Sequence, residues 1–327
     1  MPEKIKLAYL LAGGCAGCDM AVVDLSETLL DILSAIEIVF WAPTVADVKY
    51  PDLESMPDGS VDLGLVSGMV RMSEQEHMVK VMRAKCKVLV ALGACASLGG
   101  IPGMANMHTK EEIFQTAYFD TWSTDNPDGV TPQPEWMEEG LYHLTLPHFQ
   151  EKVRPLPDIV KIDYLTGGCP PHHSFVGQAL VAVLQGKLPA PGSWLTGGKA
   201  VCDVCDRNPG RQGKNRELIS SLRRLTDGPP AEDQCLLQEG YLCLGAVTQG
   251  DCGAQCPKVN VPCRGCGGPI PGVRDFGLRA VGAIAASLAD SRLIDEIPGP
   301  AKLFYRYAMA SSQLGRRETG AGDDEEN

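Results

Sequence analysis

Cysteine is the residue type through which this chain could do chemistry. Its 327 residues include 13 Cys but only six His, all at or before position 173. A CxxC pair, Cys15 and Cys18, follows the first apolar run, and Cys95 and Cys169 follow two later runs. Eight more lie within 65 residues: Cys202, Cys205, Cys235, Cys243, Cys252, Cys256, Cys263 and Cys266. In a long chain with reduced thiols, clustered cysteines bind metal more often than they form disulfides.

The thirteenth cysteine differs from the rest in its surroundings. Cys86 leads into the apolar run Val88–Leu92 and is interpreted as a buried packing residue, because free Cys behaves as a small hydrophobe. The other twelve divide evenly into three sets of four, which suggests three four-thiolate sites. Zinc and iron–sulfur clusters both accept four thiolates. Cys15 and Cys18 alone would also suit a thioredoxin-like redox pair, although the two further cysteines favour a shared centre.

The eight later cysteines have the spacing of cluster ligands. Cys256 precedes Pro257 and follows Cys252 by four positions, and this Cys-x3-Cys-Pro is the closing half of the bacterial two-cluster ferredoxin motif. Eight thiolates suit two 4Fe-4S clusters, with two zinc sites as the alternative. Their order along the chain does not divide them, since the Cys-Pro thiolate of such ferredoxins serves the other cluster. His172 and His173 are predicted to cap or pack at the start of a helix rather than to bind metal.

Short apolar runs alternating with helical stretches must position these cysteines. The predicted strands are Lys6–Leu11, Ile36–Trp41, Val61–Val66, Val88–Leu92 and Ile159–Leu165. The predicted helices are Asp19–Ile36, Ser73–Lys85, Ser174–Gln185 and Asp275–Asp290. We expect Ser73 and Glu76 to form a capping box, and Gly186 to close the third helix. This alternation predicts an α/β fold with a doubly wound, mostly parallel sheet.

The predicted fold organises the chain into three parts. In a flavodoxin-like strand order, 2-1-3-4-5, strands one, four and five end at the same edge, which brings Cys15, Cys18, Cys95 and Cys169 to one metal centre. This flavodoxin-like domain covers residues 1–190, with an insertion at about 99–157 that is either an interface or a surface excursion on its own domain. Residues 195–270 form a small ferredoxin-like domain held by its metal sites. Residues 271–327 form a C-terminal helix and an acidic tail, disordered at 320–327.

Charge and hydropathy exclude some functions. The 29 basic and 41 acidic residues give a net charge of −12, which disfavours general binding to nucleic acid or anionic membranes. No apolar run approaches the roughly 20 residues of a membrane span. The N-terminus leads into a strand-like segment without a signal peptide or twin-arginine pattern, so we expect a cytoplasmic location.

Four segments together resemble the small subunit of NiFe hydrogenases: GGCAGCDMAVVDL (13–25), ALGACASLGGIPG (91–103), LTGGCPP (165–171) and GAQCPKVNVPCRGCGG (253–268). The resemblance covers about residues 5–285. It implies a proximal cluster on Cys15, Cys18, Cys95 and Cys169, with medial and distal clusters on the eight later cysteines. It also implies that the nickel–iron centre lies on a separate large subunit. The chain would then carry no catalytic residue and would relay electrons from dihydrogen through three 4Fe-4S clusters.

The chain is most similar to the cytosolic, methanogen-type branch, because it has no leader, no His after 173 and eight later cysteines. Within that branch we favour the methyl-viologen-reducing hydrogenase linked to heterodisulfide reductase. That form implies a large subunit, a 2Fe-2S protein and heterodisulfide reductase as partners. Alternatives are the small subunit of a deazaflavin-reducing hydrogenase or a sulfhydrogenase, the related subunit of respiratory complex I, a zinc scaffold, and a stand-alone dithiol enzyme. Lys258 and Arg264 either raise a cluster potential or solvate the surface.

Overall fold

The computed structural model describes residues 4–42, 48–195 and 197–316. The strands are β1 (Ile5–Leu11), β2 (Ile36–Ala42), β3 (Val61–Ser67), β4 (Val70–Met72), β5 (Cys86–Leu92), β6 (Glu135–Glu138), β7 (Tyr142–Thr145), β8 (Phe149–Arg154), β9 (Tyr164–Leu165) and β10 (Ser193–Trp194). The α-helices are α1 (Gly17–Val23), α2 (Glu27–Ala35), α3 (Tyr50–Ser55), α4 (Ser73–Lys85), α5 (Gly93–Leu98), α6 (Lys110–Gln115), α7 (His173–Leu184), α8 (Val201–Val204), α9 (Gln255–Lys258), α10 (Phe276–Ala285) and α11 (Pro300–Phe304). Short 3-10 helices cover Ile101–Met107, Leu156–Asp158, Leu225–Asp227 and Ser291–Glu296, and a π-helical turn covers Thr116–Asp120. The tail predicted to be disordered, 320–327, lies outside the described residues.

Six parallel strands form the central sheet, in the order β10-β9-β5-β3-β1-β2. The five predicted strands correspond to β1, β2, β3, β5 and β9, so the expected 2-1-3-4-5 order is confirmed. The strand predicted at Ile159–Leu165 was too long, because only its last two residues pair with β5. The edge strand β10 was missed, since two residues carry no detectable periodicity.

Both faces of the sheet are buried. On β1, Ala8 and Leu10 pack into one apolar cluster with Met82 of α4, and Leu7 and Tyr9 pack into a second cluster on the opposite face. Helices α1, α2 and α7 cover this second face. Two buried faces explain why the strands read as continuous apolar runs rather than as alternating ones.

The helix predicted at Asp19–Ile36 is in fact two helices. It breaks between α1 and α2, where Ser26 has a φ of 52°, and Ile36 already belongs to β2. The helix predicted at Ser174–Gln185 matches α7, and Gly186 follows it with a φ of 63°, as expected for a closing glycine. Helix α10 is shorter than predicted. Asp275 caps it by accepting a hydrogen bond from the N–H of Leu278 (2.9 Å), and the helix ends at Ala285.

The predicted extent of α4 is confirmed, but the predicted capping box is wrong. The side chain of Gln75, not Glu76, accepts the backbone N–H groups ahead of the helix, from Arg71 (2.9 Å) and Met72 (3.0 Å). Ser73 lies one residue inside the helix, and its hydroxyl accepts the N–H of a residue far along the chain instead. Tertiary contacts thus decide which polar side chain caps this helix.

The segment predicted as an insertion returns to the sheet domain. After the β6–β7 hairpin, β8 pairs antiparallel with β4. The buried guanidinium of Arg71 donates to the carbonyls of Gln150 (3.1 Å) and Glu151 (3.0 Å), which fixes β8 in place. Backbone carbonyls thus supply the hydrogen-bond acceptors that a buried cation requires.

A third apolar cluster joins the cysteine-rich region to the C-terminal helices. Leu244 and Val247 pack there with Phe276 of α10 and Phe304 of α11, and Leu98 of the sheet domain reaches the same cluster. The cysteine-rich region therefore has apolar support on one side in addition to its thiols. Within the described ranges, none of the helices has the length and apolar character needed to cross a membrane.

Candidate metal centres

The first four thiols meet at one edge of the sheet. Cys15 and Cys18 follow β1, Cys95 lies in α5 directly after β5, and Cys169 follows β9. Every pair among the four is close enough for mutual electrostatic interaction. The structure thus brings together four soft ligands that are distant in sequence, at the carboxyl ends of parallel strands where such folds bind their cofactors.

Burial controls the protonation of this first set. Burial and the neighbouring thiols raise the pKa of Cys18 and Cys169, and they raise the pKa of Cys95 to about 11. A backbone N–H of Ile101 bonds the sulfur of Cys95 and opposes that rise. Thiols of this kind stay neutral at pH 7 until a bound metal replaces their protons.

Glycines shape the cradle around these sulfurs. A Cβ on Gly93 would lie 2.6 Å from the sulfur of Cys18, and one on Gly100 would lie 2.4 Å from the sulfur of Cys95. Both glycines have positive φ, 86° and 61°, which other residues rarely adopt. The chain therefore approaches the thiols as closely as its backbone allows, which leaves space for a cofactor and N–H groups for its sulfurs.

A second set consists of Cys202, Cys205, Cys235 and Cys243, and every pair among these interacts electrostatically. All four line a cavity of about 370 Å³. Burial raises the pKa of Cys202 to about 12 and that of Cys243 to about 11. Backbone N–H groups of Arg207 and of two other residues bond the sulfurs of Cys205 and Cys243. The arrangement provides thiols, space and hydrogen-bond donors, which are the requirements of a thiolate cluster.

A third set contains Cys252, Cys256 and Cys266, each pair of which interacts, and Cys263, which interacts with Cys266. Burial raises the pKa of Cys256 and Cys263, and that of Cys266 to about 11. Cys252 and Cys256 lie in the same set. The division therefore differs from the two-cluster ferredoxin, in which the cysteine before proline serves the other cluster.

The third set lies between the first and the second. On one side, the N–H of Gly168 donates to the carbonyl of Cys266 (2.8 Å), and the N–H of Cys169 bonds the sulfur of Cys266. On the other side, the N–H of Cys263 donates to the sulfur of Cys243 (3.2 Å). The three sets thus form a row in which the middle set comes last in the sequence.

Glycine also permits the closest backbone approach in this row. A Cβ on Gly167 would lie 1.9 Å from the carbonyl oxygen of Gly267, so only a hydrogen fits between the two chain segments. Gly167 precedes Cys169 of the first set and Gly267 follows Cys266 of the third. The Gly–Gly contact therefore sets how near the first and third sets can come.

The remaining candidates behave as follows. Cys86 is buried in β5 and belongs to none of the sets, as predicted, and burial raises its pKa to about 12. His172 precedes α7 and its ring bonds the hydroxyl of Ser174 (2.7 Å), while its face packs on His173 at 4.3 Å, so the predicted capping and packing role is confirmed. Burial lowers the pKa of His172, and the charge of Lys258 contributes to that shift.

Charged groups lie beside two of the thiol sets. Burial raises the pKa of Cys256 while the cation of Arg264 opposes that rise, so Arg264 acts on the third set electrostatically. The carboxylate of Asp19 is buried next to Cys18 and accepts hydrogen bonds from Tyr9 (3.1 Å) and Trp41 (3.2 Å). Sequence reasoning passed over Asp19, although an acidic residue directly after a CxxC pair was a usable signal.

Tyr307 was also missed, and no sequence signal marks it. Burial and the thiols of Cys266, Cys169 and Cys256 raise its pKa to about 12, which places it at the junction of the first and third sets. In the described ranges, no three histidine, cysteine or acidic side chains lie close enough together to hold a single metal ion. The thiols within each set thus stand farther apart than the ligands of one ion.

Comparison with known proteins gives consistent results. The family model described as "NADH ubiquinone oxidoreductase, 20 Kd subunit" matches residues 15–183. The iron–sulfur subunit of the F420-non-reducing hydrogenase of Archaeoglobus profundus is 59% identical over 317 residues, covering 96% of this chain and 98% of that protein. A vhu subunit of the F420-non-reducing hydrogenase of Methanocaldococcus jannaschii is 35% identical over 313 residues, covering 96% and 98%. A chain of the [NiFeSe] hydrogenase of Desulfovibrio vulgaris Hildenborough shares the fold (TM-score 0.52, 16% identity, 83% of this chain and 95% of that chain).

An α/β sheet with thiols at its carboxyl edge and a row of further thiols beyond it defines an iron–sulfur electron-transfer subunit. The family model is named after a subunit of complex I, but the relatives that match along the whole chain are hydrogenase subunits. The chain belongs to the family of NiFe hydrogenase small subunits, together with these subunits of F420-non-reducing hydrogenases. It works as part of an oxidoreductase that has a large subunit as its partner.

Proposed function

We propose that the chain holds three 4Fe-4S clusters and passes electrons along them, from the large subunit through the first, third and second thiol sets to an acceptor. One observation carries this proposal: the three sets form a row joined by the Cys169–Cys266 and Cys263–Cys243 contacts. In this row Cys15, Cys18, Cys95 and Cys169 hold the proximal cluster. Cys252, Cys256, Cys263 and Cys266 hold the medial cluster, and Cys202, Cys205, Cys235 and Cys243 hold the distal one.

The residues present suit this cofactor. Each set offers four soft thiolates, which favour iron–sulfur clusters and zinc over hard cations. The clusters supply one-electron transfer at potentials that depend on hydrogen bonds to sulfur, local charge and solvent exposure. The chain contributes the N–H of Ile101 at the first set and those of Gly245 and Cys263 at the second. It also contributes the cation of Arg264 at the third set, which favours the more negative, reduced state of a cluster there.

The proposed division of labour follows the predicted domains. Residues 1–190 receive electrons at the sheet edge, residues 195–270 carry the medial and distal clusters, and residues 271–327 support them through the apolar cluster around Phe276 and Phe304. A cytoplasmic complex is the setting we propose. The printed names of the relatives favour an acceptor other than the deazaflavin F420. A 2Fe-2S protein and heterodisulfide reductase are the acceptors we propose.

Metal content and spectroscopy of serine variants test this function. Anaerobically purified wild-type protein should contain about twelve irons and as many sulfides per chain, since each cluster holds four of each. Cys18→Ser should lose about four irons and stop hydrogen-driven dye reduction by the complex. Cys86→Ser is the matched control, because this buried thiol lies outside all three sets, and it should keep its iron and its activity. Zinc without iron in the wild type, or full activity and iron in Cys18→Ser, would contradict the proposal.

A further inference from the structure

An acidic and apolar segment projects from the sheet domain, and we call residues 119–147 the arm. It contains six Asp and Glu but neither Lys nor Arg. Trp122 is 96% exposed and Leu141 is 75% exposed. The exposed large apolar side chains of the arm are Phe119, Trp122, Val130, Trp136, Met137, Leu141, Tyr142, Leu144 and Leu146. A concentration of this size on one segment marks a protein interaction site, because scattered single hydrophobes are the normal pattern.

The arm is ordered by its own hydrogen bonds. The strands β6 and β7 pair antiparallel, from Glu135 opposite Thr145 to Glu138 opposite Tyr142. Ahead of them, the side chain of Asn126 bonds the backbone of Val130 in both directions, at 2.9 Å each. The apolar side chains therefore extend from a defined backbone. An isolated two-stranded hairpin is only marginally stable in water, so this one gains from a partner that covers it.

The base of the arm is rigid and lies at the edge that carries the first thiol set. β8 follows the arm and pairs with β4, and the guanidinium of Arg71 lies over the ring of Phe149 at 4.5 Å. β4 begins just after the carboxyl end of β3. Met69 exchanges two backbone hydrogen bonds of 2.8 Å with Gly13, two residues before Cys15. The direction of the arm is thus fixed relative to the proximal thiols.

We propose that the arm docks on the large subunit of the hydrogenase, in an apolar groove rimmed by Lys and Arg. This rests on the proposed function, because a proximal cluster must face the subunit that splits dihydrogen. The arm starts at that same edge, so a large subunit seated over the thiols lies within its reach. Its aromatic side chains supply the buried anchors of an interface, and its carboxylates select a basic rim and exclude other acidic surfaces.

Site-specific photo-cross-linking in the assembled complex tests which protein covers the arm. Benzoyl-phenylalanine replaces Trp122 or Leu141, both of which are exposed, so neither change disturbs a core. We expect both positions to cross-link to the large subunit. Cross-links to a second copy of this chain or to an acceptor subunit would overturn the proposal, and so would the absence of any cross-link at both positions.

Affinity gives a second and independent readout. The triple variant Trp122→Ser, Trp136→Ser, Leu141→Ser should weaken binding of the large subunit at least about tenfold, measured by its retention on the tagged small subunit at rising dilution. The matched control, Leu30→Ser, Leu218→Ser, Leu278→Ser, removes similarly exposed side chains outside the arm and should bind like the wild type. Unchanged binding of the arm triple would overturn the proposal. Iron content is measured on every variant: a docking failure leaves about four irons per cluster in place, whereas a wild type without iron contradicts the proposed function instead.

Discussion

The sheet edge and the cysteine-rich region hold their thiols by different means. Cys15 and Cys95 directly follow β1 and β5, which pair with neighbours on both sides and are buried on both faces. Between 202 and 266, by contrast, the described backbone contains two four-residue helices, one three-residue 3-10 helix and isolated bridges. The first site is therefore preformed by a hydrogen-bonded sheet, and the other two depend on what binds there.

The interior of the cysteine-rich region is built from ligands. Its own small apolar cluster consists of Val201, Cys205, Ala254 and Cys263. Leu244 adds support from the larger cluster formed with the C-terminal helices. When half of a core consists of thiols, metal binding and folding are the same event, as in small metal-dependent domains. The comparison implies that the two regions respond differently to loss of the clusters.

Cluster removal should produce the largest effect. Anaerobic chelation of the purified protein should abolish hydrogen-exchange protection in 202–243 and 252–266, by at least about a thousandfold or ~4 kcal/mol. Strands β1, β3 and β5 should keep theirs, because their ladders and both apolar faces remain intact. Peptide-resolved hydrogen exchange before and after chelation checks this. Equal loss of protection in both regions would show that the sheet edge is not preformed.

The same contrast explains what the sequence could predict. The strand order and the meeting of Cys15 with Cys95 and Cys169 followed from apolar runs, because a buried parallel sheet leaves a periodic signal. The arrangement of the later cysteines did not, since it depends on contacts between distant loops. Cys266 meets Cys169 only because Gly167 and Gly267 touch, and nothing in local propensity records that contact.

Short or tertiary features escaped prediction for related reasons. The strand β10 has two residues, and β9 pairs through two of the seven predicted. Ser26 breaks a run that is helical by pattern alone, and Gln75 caps α4 in place of Ser73 because Ser73 is taken by the returning segment before β8. In each case a tertiary contact overrides a local preference.

Gly167→Ala should have the next largest effect, at the point where the two regions touch. The added methyl group would lie 1.9 Å from the carbonyl oxygen of Gly267, and backbone must move to relieve that clash. We expect a stability loss of about 3 kcal/mol, at the upper end of overpacking effects. The first and third sets should also move apart, which weakens magnetic coupling between their clusters in electron paramagnetic resonance.

Gly282→Ala is the matched control, since it adds the same methyl group inside α10, where no atom lies within 4 Å. It should stabilise the protein slightly, because alanine is the better helix former by about 1 kcal/mol at most. Magnetic coupling and iron content should not change. If Gly167→Ala kept both its stability and its coupling, the Gly–Gly contact would not set the distance between the sets.

The smallest expected effect is confined to the sheet side of the comparison. Glu76 forms an ion pair with Lys80 (2.7 Å) and another with Arg154 at the base of the arm, and these contacts lower its pKa to about 2 from an ordinary value of 4.5. A lowered folded pKa stabilises the protein above pH 4.5, and that contribution is lost as the pH falls towards 2. Glu76→Gln should therefore cost about 2 kcal/mol at pH 7, allowing for the exposure of Lys80.

Denaturant unfolding at pH 7 and at about pH 3, followed in the sheet domain, checks this sign. The gap between wild type and Glu76→Gln should shrink in acid, and iron content at pH 7 should be equal in both, because Glu76 touches no thiol set. Glu54→Gln is the control: its pair with His77 (2.7 Å) is exposed on both sides and contributes little. A gap that widened in acid would mean that the carboxyl of Glu76 stabilises the base of the arm in its protonated form, which would contradict the role assigned to its ion pairs with Lys80 and Arg154.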